Sequence, residues 1–194
     1  MPTRNAYIGT ISIFAVAFGL QVATLFVPKW VQYESPSPHY TEVNYGLFQR
    51  CSTLTDDCRR FPQGDWGDCD HDKNSDRWVK LCLEWRVAAG TAVASSIVGL
   101  WILAGLGTVL YTGQRFHAQG WKHILGLIGV FAGLQIVSMA LVAHVTHTSS
   151  MFVYNKLGLS FFLNIGSWAL GAVLALGVIL YAKYGRQGGH IALE

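Results

Sequence analysis

The chain has 194 residues, which is the length of a single domain. Its charged content of 13% is far below the roughly 25% of an ordinary soluble protein, and 52% of its residues are hydrophobic. The formal net charge of +3 comes without a basic tract or an aromatic-interleaved basic patch, so we expect no nucleic-acid partner.

Four uncharged apolar runs are each long enough to cross a lipid bilayer, which takes roughly 20 helical residues. They are Ala6–Val27, Val87–Tyr111, Ile124–Val145 and Leu159–Ala182. The first run is longer than the roughly 7–15 apolar residues of a signal peptide and lacks a clear cleavage site, so we interpret it as a retained helix. The predicted spans are 6–27, 87–111, 123–146 and 159–182, within one domain over 1–194.

Basic residues predict the orientation of these spans. Both termini and the 112–122 connection fall on one side, which carries Arg4, Arg115, Lys122, Lys183 and Arg186 against the single acid Glu194. The positive-inside rule makes that side cytoplasmic. We therefore expect a multi-pass plasma-membrane protein with cytoplasmic termini and an extracellular stretch at 28–86.

All four cysteines and ten of the eleven acidic residues lie in that stretch. An even number of cysteines in an oxidising compartment favours two disulfides, and Cys51, Cys58, Cys69 and Cys82 allow three connectivities. A zinc site that includes His71 is the alternative.

Strand patterns also occur in the 28–86 stretch. Trp30–Glu34 alternates apolar and polar residues, and Val43–Arg50 continues the alternation after Pro36 and Pro38 interrupt it. These runs predict a small antiparallel sheet that needs disulfides because its own core is small. Residues 78–85 can begin the second helix early, and for 147–158 we expect little more than helix extensions and a turn.

Polar side chains within the spans are predicted to bond across helices. They are Gln21, Gln135, His144 and Asn164, and no charged residue accompanies them to suggest a transport path. His144 and His147 could form half of a metal site, but two imidazoles fall short of four ligands.

Small residues recur at helical spacing in the third and fourth spans. The pairs are Gly129 with Gly133 and Gly171 with Ala175, and such pairs let helices approach closely. We expect them to pack the chain's own bundle, with docking of a partner helix as the alternative.

The acidic run in the loop consists of Asp65, Asp68, Asp70, Asp72 and Asp76. It lacks the glycine and terminal glutamate of a calcium loop, so we predict a solvated segment and no metal site. The pairs Ser95–Ser96 and Ser149–Ser150 lack a nucleophile motif. We predict no catalytic residue, no cofactor and no enzyme activity.

A family resemblance rests on residues spread along the loop. Trp30, then Gly46-Leu47-Phe48, then Cys51 and Cys58, with Arg86 at the mouth of the second helix, resemble the W…GLW…C…C signature of the superfamily of claudins, peripheral myelin protein, epithelial membrane proteins and calcium-channel gamma subunits. The segment Gly158–Trp168 is similar to that superfamily's entry into its fourth helix. Phe48 departs from the usual tryptophan, and the second cysteine pair is similar to the gamma-subunit branch.

The resemblance implies a fold and roles for these residues. The fold is a membrane all-α four-helix bundle with a small disulfide-stapled antiparallel sheet. Cys51 would bond Cys58, leaving Cys69 and Cys82 as a further pair. Trp30 would pack at the base of the sheet, Gly46, Leu47 and Phe48 would anchor the same layer, and Arg86 would couple sheet to bundle by pairing with loop carbonyls or carboxylates.

The resemblance also implies a function. The chain would act without catalysis, through contacts with a membrane-protein partner or with itself in the lipid bilayer, as an auxiliary subunit or organiser. A paracellular barrier or pore at a cell junction is the alternative, with Asp56, Asp57, Arg59 and Arg60 as its partner or ion-selectivity surface. A third hypothesis, an extracellular-facing thiol/disulfide protein, requires a labile disulfide.

Overall fold

The computed structural model describes residues 4–34, 42–63, 68, 76–112, 117–149, 152 and 154–187. Within them, four helices carry the apolar runs: α1 (Arg4–Phe26), α2 (Asp76–Thr112), α3 (His117–Thr148) and α4 (Leu159–Gln187). Each contains a stretch long and apolar enough to cross a membrane. A helix therefore occupies every predicted span, and α2 begins well before the apolar run at 87.

Local sequence explains where α1 stops. Mostly apolar residues form it, and it ends at Phe26, two residues before Pro28. Proline has no N–H to donate and disfavours helical backbone at the residue before it.

The helices pack in a closed ring, α1 against α2, α2 against α3, α3 against α4, and α4 against α1. One apolar cluster fills the ring away from the sheet, formed by Phe14, Ile102, Leu106, Ile128, Phe131 and Leu174. The rings of Phe14 and Phe131 lie 5.1 Å apart, so this cluster holds α1 to α3.

Five short strands form one antiparallel sheet at the end of the bundle where α1 stops and α4 starts. They are β1 (Val31–Glu34), β2 (Glu42–Tyr45), β3 (Gln49–Ser52), β4 (Asp57–Arg60) and β5 (Asn155–Leu157), in the order β4-β3-β2-β1-β5. The predicted antiparallel sheet is thus confirmed. We call these strands, with their connecting residues, the sheet module.

The alternating run Val43–Arg50 is not continuous as a strand in the structure. The run divides into β2 and β3 around a tight turn, in which the Gly46 N–H donates to the Gln49 carbonyl at 2.8 Å. Alternation of apolar residues continues through the turn, so periodicity alone does not reveal it.

The expectation that 147–158 contains only helix ends and a turn was also wrong. Its β5 strand pairs with β1, with Val31 opposite Leu157. This pairing satisfies backbone groups that β1 would otherwise leave open at a sheet edge. Lys156 and Glu34 add an exposed ion pair across the same two strands at 3.2 Å.

Candidate functional site: the sheet module and its attachment

Trp30 attaches the sheet module to α1. Its indole is fully buried and donates its N–H to the Thr24 carbonyl at 2.8 Å. Its backbone N–H donates to Tyr45 in β2, and its carbonyl accepts the Gly158 N–H beside β5. One buried residue therefore ties a helix end to two strands, because a tryptophan combines a large apolar body with one polar donor.

The turn after β2 fits against the end of α1 only because residue 46 is glycine. A Cβ at Gly46 would lie 2.7 Å from the Cα of Pro28 and 3.0 Å from the Gln49 carbonyl oxygen. Leu47 then points inward and is buried. Phe48 does not take the role that the resemblance implies. It is 45% exposed and does not anchor the layer at the base of the sheet. Leu47 occupies the inward position of the tight turn, which leaves the next side chain outside.

A disulfide closes the hairpin of β3 and β4. Cys51 and Cys58 lie directly opposite each other in the register, and their sulfurs are 2.03 Å apart. Asp56 takes the positive-φ position in the hairpin turn, at 48°, a conformation that aspartate tolerates better than most residues. Cys82 is also disulfide-bonded, and Cys69 lies outside the described residues. The sulfurs of Cys51, Cys58 and Cys82 are therefore committed to disulfides and are not available to zinc.

Asp68 corrects the picture of a solvated acidic loop. Its side chain is only 4% exposed, and its Oδ1 lies 2.7 Å from Arg59 and 3.9 Å from Arg50. Its Oδ2 accepts the Gln63 N–H at 3.3 Å. A carboxylate is buried only when it is paired and hydrogen-bonded, so Asp68 connects β3, β4 and the segment that follows them. Of the other predicted loop acids, Asp65, Asp70 and Asp72 lie outside the described residues and Asp76 begins α2.

Four aromatic side chains from distant parts of the chain pack beneath the sheet. Ring centroids lie 5.3 Å apart for Tyr45 with Phe61 and for Tyr45 with Phe152, and 5.2 Å apart for Phe61 with Trp85. We call Tyr45, Phe61, Trp85 and Phe152 the aromatic cluster. It joins β2 to α2 and to the segment between α3 and β5, and periodicity could not reveal it because no two members lie close in sequence.

Tyr45 also connects the aromatic cluster to the ion pairs of Asp68. The guanidinium of Arg50 lies 5.1 Å from its ring centroid, a cation–π contact. Burial raises the pKa of the Tyr45 phenol above its ordinary 10.0, and the positive charge of Arg50 opposes part of that rise.

Arg86 does not take the coupling role that the resemblance implies. Its side chain is exposed and forms no ion pair with any part of the chain that the structure describes. The preceding residue, Trp85, is fully buried in the aromatic cluster and connects α2 to the sheet instead. Helical geometry explains the difference, since adjacent residues point to different sides of a helix.

The predicted interaction surface separates into two groups. Asp56, Asp57 and Arg60 are exposed along the β3–β4 hairpin, whereas Arg59 is engaged with Asp68. Leu54 lies in the same hairpin turn and is 74% exposed. We call Leu54, Asp56, Asp57 and Arg60 the hairpin edge. Leu54 was missed in the sequence, although an isolated leucine inside a polar turn between two cysteines is a usable signal.

Of the four polar residues predicted to bond across helices, Gln21 and Asn164 do so within the described residues. The Gln21 amide donates to the Ala92 carbonyl at 3.1 Å, and the Asn164 amide donates to Gln21 at 3.0 Å. His144 is exposed, as is His147, and no group of three or more histidine, cysteine, aspartate or glutamate side chains comes together within the described residues. Gln135 is buried without a hydrogen-bond partner there.

The two small-residue pairs face different environments. A Cβ at Gly171 would lie 3.8 Å from Phe131, and Ala175 packs against the same apolar cluster, so this pair serves the chain's own bundle. Gly129 is exposed, and a Cβ at Gly129 or at Gly133 would meet no described atom within 4 Å.

Comparison with known proteins adds no relative to these observations. Neither a protein-family model nor a curated protein matches the sequence. The function therefore has to be argued from the geometry of the sheet module and the bundle.

Proposed function

We propose that this chain is a non-enzymatic, claudin-like protein of the plasma membrane that binds a membrane-protein partner, or further copies of itself, through its sheet module. It would serve as an auxiliary subunit or organiser of a larger membrane complex. The observation that carries the proposal is the hairpin edge, an exposed and mixed-charge surface on a hairpin that is fixed to the bundle.

Three kinds of contact hold the hairpin in place. The Cys51–Cys58 bond closes it, Asp68 bridges its two strands through Arg50 and Arg59, and Tyr45 places the neighbouring strand on the aromatic cluster. A surface that is ordered before binding loses less conformational entropy on binding. This rigidity favours recognition by the sheet module.

The charges on the hairpin favour side-chain recognition. In the described sheet β4 is an edge strand, and it carries exposed Asp57 and Arg60. Charged residues on an edge discourage indiscriminate pairing with other strands, while complementary charges on a partner select it and speed association. Exposed Leu54 supplies apolar contact area beside them.

The motif residues support the claudin-like assignment by the roles they play together. Trp30, Gly46 and Leu47 form the junction between α1 and the sheet, and the first cysteine pair closes the next hairpin. Phe48 and Arg86, which are both exposed, contribute nothing to that junction.

Affinity purification from native membranes tests the proposal. The variant Asp56→Asn/Asp57→Asn/Arg60→Gln replaces the three charged side chains of the hairpin edge with uncharged ones. It should no longer co-purify with the membrane protein, or the second copy of the chain, that the unmodified chain retains. The matched control is Glu34→Gln/Lys156→Gln, which removes an exposed ion pair at the opposite sheet edge and should retain it. The proposal fails if the unmodified chain purifies alone as a monomer, or if both variants behave alike.

A paracellular pore is the second candidate, favoured by the exposure of Asp56, Asp57 and Arg60 at one edge. Expression in epithelial cells that lack other junction-strand proteins should then give strands and an ion selectivity that Asp57→Asn alters. Arg59→Gln should act on stability instead, because Arg59 is paired with Asp68. Cells without strands and with unchanged ion permeability would exclude this candidate.

A further inference from the structure

A layer of polar side chains crosses the interior of the helix bundle. Every helix contributes to it, and each side chain is completely buried: Gln21, Ser95, Gln135, Ser138, Asn164 and Ser167. We call these six residues the polar layer. Polar groups inside an apolar bundle are costly unless they are hydrogen-bonded.

The three serines of the polar layer have partners. Ser95 donates to the Phe131 carbonyl, Ser138 to the Ala88 carbonyl and Ser167 to the Ala17 carbonyl, over 2.7–3.2 Å. Each of these bonds joins two helices. Two of the bonds join α2 to α3, and the third joins α4 to α1.

The amides are only partly satisfied. Gln21 and Asn164 bond to each other, but the Oδ1 of Asn164 has no partner among the described residues. In Gln135 both the Nε2 and the Oε1 lack one. The polar layer therefore contains one open amide donor group and two open carbonyl acceptors.

Helical spacing directs Gln135 toward the centre of the bundle. It lies four residues after Phe131, so the two side chains share a face of α3. The ring of Phe131 packs on Phe14 of α1, and Cβ atoms built at Gly99 of α2 and Gly171 of α4 would both meet it. Gln135, which is completely buried, thus points into the same interior one turn nearer the sheet.

The open groups define the chemistry of the ligand that this place would take. No formally charged side chain belongs to the polar layer, which disfavours an ion. An open N–H₂ donor and two open carbonyl oxygens, all buried in the polar layer, suit a small neutral molecule that both accepts and donates hydrogen bonds. Water is that molecule, and buried waters typically make about three hydrogen bonds to such groups.

We propose that the polar layer is a water-binding site, in which a buried water accepts from the Gln135 amide and donates to the Oδ1 of Asn164. The water completes a hydrogen-bonded connection from α3 through α4 to Gln21 of α1. This site is independent of any partner bound by the sheet module.

Nuclear magnetic resonance of full-length protein with ¹⁵N-labelled glutamine, in lipid nanodiscs, tests the site with water itself as the probe. The Gln135 amide signal is identified as the one that Gln135→Met removes, or Gln135→Asn if the first variant does not fold. Its protons should show cross-relaxation with water of opposite sign in the laboratory and rotating frames, which distinguishes a bound water from proton exchange.

Two variants complete the experiment. Asn164→Leu should abolish this cross-relaxation while the Gln135 signal persists, and Ser138→Ala should leave it unchanged. Absence of cross-relaxation at Gln135, with water contact detected at half-exposed Gln49, would overturn the proposal. Cross-relaxation that persists in Asn164→Leu would overturn the bridge between the two amides.

Discussion

At the scale of single residues, the junction between α1 and the sheet depends on two residues that no other residue type replaces without loss. Trp30 combines burial with a single donor, and Gly46 allows a turn to lie against Pro28. Both positions stand out in the sequence. Their partners do not, because Thr24, Pro28 and Tyr45 are ordinary residues until the fold brings them together.

Gly46→Ala is expected to destabilise the protein because its methyl group would lie 2.7 Å from the Pro28 Cα. Overpacking of this kind costs about 1–3 kcal/mol in the free energy of unfolding. Thermal unfolding in detergent measures the change. Gly90→Ala is the control, since a Cβ there meets no described atom within 4 Å; equal effects of the two substitutions would contradict the explanation.

Tyr45 predicts a dependence of stability on alkaline pH. Burial raises its pKa above 10.0, so the folded protein keeps the phenol proton longer than the unfolded chain does. The free energy of unfolding should therefore fall as the pH rises above about 10, after being unaffected by this group at lower pH. Tyr45→Phe should remove this component. Tyrosinate absorbance, compared between the unmodified protein and Tyr45→Phe, should show the Tyr45 phenol ionising above pH 10.0, and ionisation below that pH would refute the prediction.

At the scale of elements, the helices could be predicted and the finer pairing of the strands could not. A bilayer-spanning helix needs a long apolar run, which is legible in one sequence. The three-residue β5 has too few residues to show a period, and its partner β1 lies more than a hundred positions away. The turn at Gly46 continued the strand alternation and so was hidden by it.

The candidate site likewise contains features that the sequence indicated and features that it did not. The Cys51–Cys58 bond followed from a family resemblance, whereas the burial of Asp68 had no local signal. Its arginine partners lie on β3 and β4, and the surrounding sequence is rich in glycine and aspartate, so a solvated loop was the natural prediction. Asp68 is buried because it pairs with Arg50 and Arg59, which are not among its close neighbours in the sequence.

Asp68→Asn is expected to loosen the β3–β4 hairpin, because it leaves two guanidinium groups without their carboxylate. Breaking a buried ion pair costs about 3–5 kcal/mol. Here the arginine side chains are 27% and 26% exposed, so solvent screening reduces the expected loss to about 1–3 kcal/mol.

Hydrogen–deuterium exchange of β3 and β4 measures this loss locally. The control Glu84→Gln removes the more exposed i,i+4 pair with Lys80 and should cost less than about 1 kcal/mol. Unchanged exchange of the hairpin in Asp68→Asn would refute the structural role of the ion pairs.

At the scale of the whole molecule, the aromatic cluster and the polar layer occupy successive levels of one bundle. The aromatic cluster fixes the sheet module to α2, and the polar layer holds the helices in register beneath it. The hairpin edge, the proposed site of recognition, belongs to the sheet module that the aromatic cluster fixes to the bundle.

The proposed orientation makes a prediction about lysine accessibility. Lys80 and Lys156 are exposed at the sheet end of the bundle, and exposed Lys122 lies at the other end. With the sheet outside the cell, a membrane-impermeant amine reagent should label Lys80 and Lys156 in intact cells and Lys122 only after permeabilisation. Labelling of Lys122 but not of Lys156 in intact cells would show that the orientation is the reverse of the proposed one.

Photo-crosslinking in intact cells tests the central claim most directly. A photoreactive amino acid at Leu54, on the hairpin edge, should give a defined protein adduct, either with one membrane protein or with a second copy of the chain. The same group at Lys156, which is also exposed but lies on the opposite sheet edge, should not give that adduct. If Leu54 yields no protein adduct beyond that of Lys156, the sheet module does not recognise a partner through its hairpin edge.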